Sequence, residues 1–205
     1  MISRDAGREP EKEGLRERKQ RETRIRIAEK GLKLFLKHGY DAVTLDDIAE
    51  AAGISRRTFF SYFKSKEDVV LVWQTASWTT MLAELRAVSP DTPPLEAVRA
   101  MLVRNAAPYE SAQMRTIDNL MRSNDTLIAR KSALYVVHEQ LLYEMLCEVW
   151  RQPELRPTLR LVAMISVGVM RLSIETWRAE EGVRSAAEVL NETFARARSE
   201  MSLML

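Results

Sequence analysis

Residues 44–69 read TLDDIAEAAGISRRTFFSYFKSKEDV, and the order of apolar, breaking and basic residues in this stretch decides the fold. Leu45, Ile48, Ala49 and Ala52 recur at helical spacing, Gly53 interrupts, and Ile54, Phe59 and Phe63 resume the apolar set. Thr44 followed three residues later by Asp47 has capping-box spacing, with Asp in place of the usual Glu or Gln. The stretch predicts one helix over 45–52, a tight turn at Gly53-Ile54, and a second helix capped by Ser55 and running through Tyr62. Small Ala49 allows close approach, and Gly53 accepts a turn backbone that a branched residue resists. Two short helices with a shared apolar face make a helix-turn-helix over Leu45–Phe63.

Polar side chains point outward from the second of these helices. Arg56 and Arg57 offer guanidinium forks that suit guanine edges or phosphates, while Ser55, Thr58, Ser61 and Tyr62 offer hydroxyls. Lys64 and Lys66 lie beside the start of the next helix, whose free N–H groups also attract phosphate. These residues form the DNA-binding set expected from the hairpin itself. A helical hairpin with an ordinary solvated basic face explains the same pattern without DNA.

The flanking sequence extends the pattern in both directions. Residues 1–18 are almost wholly polar and are expected to be a disordered charged arm. Residues 16–26 (RERKQRETRIR) could enter a minor groove or simply form a frayed, solvated helix start. A first helix is expected from Lys19, with Ile25, Ala28, Leu32, Phe35 and Leu36 on its apolar face and Gly39 closing it. Ser65 with Asp68 opens a long fourth helix to about Val88, and SPDTPP (89–94) ends it. A fifth helix from Pro94, interrupted or bent near Pro108, precedes helical segments near 111–122, 125–151, 157–181 and 185–202. The expected fold is all-α, with about nine helices in an N-terminal DNA-binding domain (19–66) and a C-terminal bundle (67–205).

Charge follows the same division. Residues 1–66 carry 16 Lys/Arg against 11 Asp/Glu, whereas the remainder carries 15 against 18. A basic head on a mildly acidic body fits a nucleic-acid module joined to a part that does not touch DNA. One cysteine, Cys147, excludes an internal disulfide framework and any multi-cysteine metal cluster. The longest charge-free apolar stretch, Leu161–Met170, is half of a membrane span, and the charged N-terminus lacks the apolar core of a secretory signal. Neither membrane association nor a metal or cofactor is expected, and the reading is of a cytoplasmic protein.

Enzyme motifs fail on inspection. His138-Glu139 begins an H-E-x-x-H pattern, but Leu142 stands where the second His is needed. Ser61 to Lys64 matches S-x-x-K without the partner motifs of that chemistry.

From about Thr23 to Val70 the chain resembles the tetracycline-repressor (TetR) family. The matching residues are Ala28, Leu34, Phe35, Gly39 and Tyr40, then Thr44, Ile48-Ala49, Ala52 to Ser55, Phe60 to Phe63, and Lys66-Glu67. The resemblance implies a homodimer that binds a palindromic operator in double-stranded DNA and answers a small-molecule effector, usually by releasing the DNA. It implies phosphate contacts for Thr44, Tyr62 and Lys66, with Arg56 and Arg57 where base contacts are made. Two positions depart from the pattern: Phe60 where Tyr is frequent, and Arg57 where a small residue is frequent. RRTFFSYF (56–63) is similar to a branch whose members sense acyl-CoA-like ligands, so a small apolar or acyl-type effector is expected. A helical adaptor that binds protein, or a regulator without a ligand, are the rival readings.

The body holds all four Trp and nine of ten Met. Flexible Met and large aromatics can line an adaptable apolar cavity, although each is also an ordinary core residue. Asn105, His138 and Arg171 interrupt apolar runs and need partners if buried. The expected ligand-binding set is Trp78, Met101, Asn105, Met121, His138, Met170, Arg171 and Trp177. The resemblance implies that the last two helices pair with those of a second subunit; the run LVAMISVGVM (161–170), apolar nearly all round and with small Ser166 and Gly168, fits this.

Overall fold

Capping and apolar spacing set the helices that the computed structural model shows over residues 14–203. They are α1 (Leu15–His38), α2 (Leu45–Ala51), α3 (Arg56–Phe60), α4 (Lys66–Leu85), α5 (Pro94–Arg104), α6 (Ala112–Arg122), α7 (Asp125–Val149), α8 (Arg156–Ala179) and α9 (Ala186–Leu203). No strand occurs among the described residues. Two short 3-10 turns, Ala107–Glu110 and Pro153–Leu155, stand at the prolines that break the pattern. Of the two readings near Pro108, interruption and bend, the first holds: α5 ends at Arg104 and α6 starts at Ala112.

The chain divides into two units, Met1–Val70 and Leu71–Leu205. Helix α1 begins at Leu15 rather than Lys19, so the last residues of the expected arm are helical; residues 1–13 lie outside the described part. Its buried stripe is Ile27, Ala28, Gly31, Leu32 and Phe35. Ile25 is only half-buried and Leu36 is 45% exposed, so the expected stripe was rotated by part of a turn. The true stripe follows the i, i+1, i+4, i+5, i+8 spacing that a 3.6-residue repeat brings to one side.

Close packing in the first unit depends on Gly31. A Cβ there would lie 2.6 Å from Val69 Cγ1 and 3.4 Å from Ile48 Cγ2, so α1, α2 and the first turns of α4 meet where only a hydrogen fits.

In the second unit, α8 packs against α7 and α9, and α5 packs against α8 and α9. The core gathers Leu85, Val98, Met101, Leu142, Leu146, Leu159 and Val189, all nearly solvent-free. Trp150 ties the 89–94 breaker to this core through Nε1–H donated to the Pro90 and Thr92 carbonyls at 2.8 and 3.2 Å. The segment Pro153–Ala179 is long and apolar enough to cross a membrane by length and composition, a property that the charge-free run alone did not reveal. It also carries Arg156, Arg160, Arg171 and Arg178, and one side of it is buried against α7 and α9. That is the make-up of a central bundle helix.

Candidate DNA interface and effector cavity

The helix-turn-helix is built as its residues require. Ile48, Ala49, Ala52, Phe59 and Phe63 are buried, while Leu45 and Ile54 are half-buried at its edge. The Phe59 and Phe63 rings lie 5.6 Å apart, and Gly53 takes φ of 66°, the left-handed turn that glycine allows without strain.

Thr44 caps α2 with a complete capping box. Its Oγ1 accepts from Asp47 N–H at 3.2 Å, and its own amide and hydroxyl donate to Asp47 Oδ2 at 2.8 and 2.7 Å. The Thr44 hydroxyl, joined by its amide, holds the Asp47 carboxyl below the usual carboxylate range. Both donors that the resemblance assigns to a phosphate are thus spent on Asp47, and a phosphate must compete for them.

The third helix spans only five residues, Arg56–Phe60, so Ser61 and Tyr62 fall just beyond it. Several of its hydroxyls are also engaged. Ser55 Oγ accepts from Thr58 N–H at 3.1 Å and shares a 2.8 Å bond with Thr58 Oγ1, and Ser61 Oγ donates to the Thr58 carbonyl at 2.6 Å. Ser55, Thr58 and Ser61 therefore shape the helix in the free chain, and the Ser55–Thr58 pair uses only one of its two hydroxyl hydrogens in doing so. Tyr62 is half-buried.

Arg56 does not project freely either. Its Nη1 pairs with Asp46 Oδ2 at 2.9 Å, and its guanidinium lies 5.8 Å from the Phe60 ring centroid. Arg57 and Lys64 are exposed. Phe60 is 47% exposed, so this position presents an apolar ring where a hydroxyl is frequent.

Lys66 corrects the simplest expectation. It is half-buried, and its Nζ donates to the Tyr40 carbonyl at 3.0 Å and the Val43 carbonyl at 3.3 Å while lying 4.3 Å from the Tyr40 ring centroid. The Tyr40 hydroxyl in turn donates to Glu67 Oε1 at 2.6 Å. Lys66 clamps the loop before α2 to the start of α4, a structural role that its sequence position did not reveal.

The second unit contains a cavity of about 330 Å³. Of the expected ligand set, His138, Met170 and Trp177 line it. Trp78 backs its wall, stacked on His138 with ring centroids 4.5 Å apart. Asn105 belongs instead to a narrow neighbouring cleft, and its Nδ2 donates to Glu84 Oε1 at 2.8 Å and the Met101 carbonyl at 2.9 Å. Three further residues of the expected set do not line the cavity. Met101 and Met121 are wholly buried in packed core, and Arg171 sits on the exposed side of α8 beside Glu175. Methionine content cannot separate cavity from core, and a charge amid apolar residues can occupy the solvent side of a helix.

The sequence reading missed the cavity's charged wall. Asp118 lies within 2.6 Å of Lys131 Nζ and 3.2 Å of both Arg178 Nη1 and Arg122 Nε. Burial raises the Asp118 pKa, but the Lys131 hydrogen bond and the three cations outweigh it and hold the carboxyl below its ordinary value. Tyr109 and Tyr135 line the cavity too, and burial pushes the Tyr135 hydroxyl up to about 12. Asp118 and Arg122 are four apart on α6, a signal that was legible, but Lys131 and Arg178 come from other helices.

Residues 27–72 match the family described as bacterial regulatory proteins, tetR family. The HTH-type transcriptional regulator TcmR of Streptomyces glaucescens is 41% identical over 99 residues, which cover 46% of this chain and 44% of TcmR. An uncharacterized HTH-type transcriptional regulator of Bacillus subtilis, YerO, is 42% identical over 50 residues, 24% of this chain and 17% of that protein. The chain thus matches less than half the length of these curated relatives. The fold is similar to FadR of Thermus thermophilus, a TetR-family repressor solved with lauroyl-CoA. The TM-score is 0.53 at 23% identity over 84% of this chain and 91% of that one. The capped helix-turn-helix lies inside the residues that match the tetR family of bacterial regulatory proteins, and no strand occurs among the described residues of the second unit.

Proposed function

We propose that this chain is an effector-responsive DNA-binding transcription regulator, acting as a homodimer on a palindromic operator and released from it by its ligand. The observation that carries this reading is the buried apolar hairpin that holds exposed Arg57 and Lys64, with Arg56 beside them, within the family-matched residues. Arg57 and Arg56 are the base-reading candidates, Lys64 a phosphate contact, and Thr44 and Tyr62 positioning contacts. DNA binding places the working protein in the cytoplasm.

A homodimer is supported by an unpartnered stripe on α8. Leu161, Met164 and Leu172 are 56%, 49% and 53% exposed, and nothing lies within 4 Å of a Cβ built on Gly168. Spacings of three, four and four residues put them on one side of the helix, where a second copy would remove them from water. Such a dimer reads two half-sites about 34–36 Å apart or multiples of this. The link from ligand to DNA runs through α4, a single helix that carries Lys66 in its first turn and Trp78 further along. A ligand that favours one state of α4 shifts the population of the DNA-binding state.

The cavity wall carries more cations than carboxylates, which favours an effector with an anionic or polar group over a wholly apolar one. The decisive measurement is binding to a duplex from the chain's own upstream region across a salt series. A log–log fall of affinity with salt supports DNA binding. Salt-independent or absent binding favours a protein-binding adaptor instead.

A further inference from the structure

The cavity in the second unit has an excess of positive charge on its wall. One carboxylate, Asp118, faces Lys131, Arg178 and Arg122, with Arg115 on the same lining and Glu181 as the only other acid there. The side chains of Lys131, Asp118 and Arg178 are only 13%, 18% and 23% exposed. Cations withdrawn this far from water gain most from an additional anion held by hydrogen bonds.

The second observation is His138. It is 6% exposed, and neither ring nitrogen has a hydrogen-bond partner among the described residues. Burial lowers its pKa to about 4, so at neutral pH it offers one N–H donor and one bare nitrogen acceptor. Trp78 covers one face of the ring, with planes 18° from parallel, and Tyr135 meets it edge-on at 6.5 Å. Unsatisfied polar atoms buried this deeply are rare, and a hydroxyl suits either nitrogen, donating to the bare one or accepting from the N–H.

The remaining wall is part aromatic and part aliphatic. Tyr109, Tyr135 and Trp177 line it, with Met114, Met170 and Ile174 as the aliphatic contribution. At about 330 Å³ the cavity stands at the small end for ligand pockets, and its lining suits a flat ring better than a long flexible chain.

We propose that this cavity takes a compact hydroxylated aromatic acid, with its anionic oxygens on the cations around Asp118 and its hydroxyl on His138. The proposal rests on the effector-responsive reading above and narrows it to one chemical class. The acid binds in its ionised form, and no bond is made or broken.

The test uses the full chain and three probes: 3-hydroxy-2-naphthoate, its methyl ester, and dodecanoate. Calorimetry gives each affinity, and fluorescence anisotropy on the upstream duplex gives DNA binding with and without probe. The naphthoate is expected to bind at least about tenfold more tightly than the ester, as charge-assisted hydrogen bonds allow. Arg178→Met should erase most of that preference, and His138→Phe, which keeps a ring against Trp78, should weaken both naphthoates by about threefold or more. Failure of the acid to saturate, equal affinity for acid and ester, or tighter binding of dodecanoate overturns the proposal on the unmodified chain, whatever the variants' folding. Loss of the regulator reading shows separately, as absent duplex binding without any probe.

Discussion

The imidazole of His138 lies flat against the indole of Trp78, centroids 4.5 Å apart, with both of its nitrogens unpartnered among the described residues. Burial lowers the His138 pKa from 6.5 to about 4, so folding disfavours its protonated form. The unfolded chain binds the extra proton between these values, and stability therefore rises with pH across that window. The contribution is fully present above pH about 6.5 and is lost as pH falls toward 4; it amounts to about 3 kcal/mol. Asp118, whose pKa is lowered by its cations, gives a further loss at still lower pH. Urea unfolding at pH 7 and pH 5 should show the drop in the native chain and a much smaller one in His138→Phe.

Lys66 holds two backbone carbonyls, those of Tyr40 and Val43. Lys66→Met should lower unfolding stability by about 1–3 kcal/mol, because both carbonyls lose a charged donor. A residue that only touched phosphate would leave stability unchanged and weaken DNA binding. Thermal unfolding of the variant without DNA separates the two roles.

The exposed Asp46–Arg56 pair joins α2 to α3. Such pairs are worth about 0–1 kcal/mol, so Asp46→Ala should hardly alter stability. It should strengthen duplex binding at low salt by freeing Arg56 and removing a negative charge. Arg57→Ala should instead flatten the preference among operator variants, each base contact being worth about 1–3 kcal/mol. Competition binding with point-substituted duplexes reads both effects.

Gly31→Ala places a methyl group 2.6 Å from Val69 Cγ1, deeper than packing tolerates. A loss of about 1–3 kcal/mol is expected. Gly31→Ala combined with Val69→Ala should recover part of it, since Val69→Ala removes the colliding methyl. Full additivity of the two losses in denaturant unfolding would show that the contact is not the cause.

The helix-turn-helix was legible because its determinants are local. Thr44 and Asp47, Ser55 and Thr58, and the turn at Gly53 interact within three residues, and the apolar set from Ile48 to Phe63 repeats with the helical period. Helix spans and the 89–94 break follow from the same short-range rules. The family resemblance concentrates there as well, in residues 27–72.

What the tertiary structure alone decided are contacts between residues distant in sequence. In the chain without DNA, Lys66 holds the Tyr40 and Val43 carbonyls and Arg56 pairs with Asp46. Arg171 went to the outer side of α8 while Arg178, seven residues on, reached Asp118 on α6. Met101 and Met121 filled core where Met170 lined the cavity. Periodicity tells which residues share a helix face, but a cavity is the space left when several faces meet. Its lining is fixed by packing across helices, which no local spacing encodes.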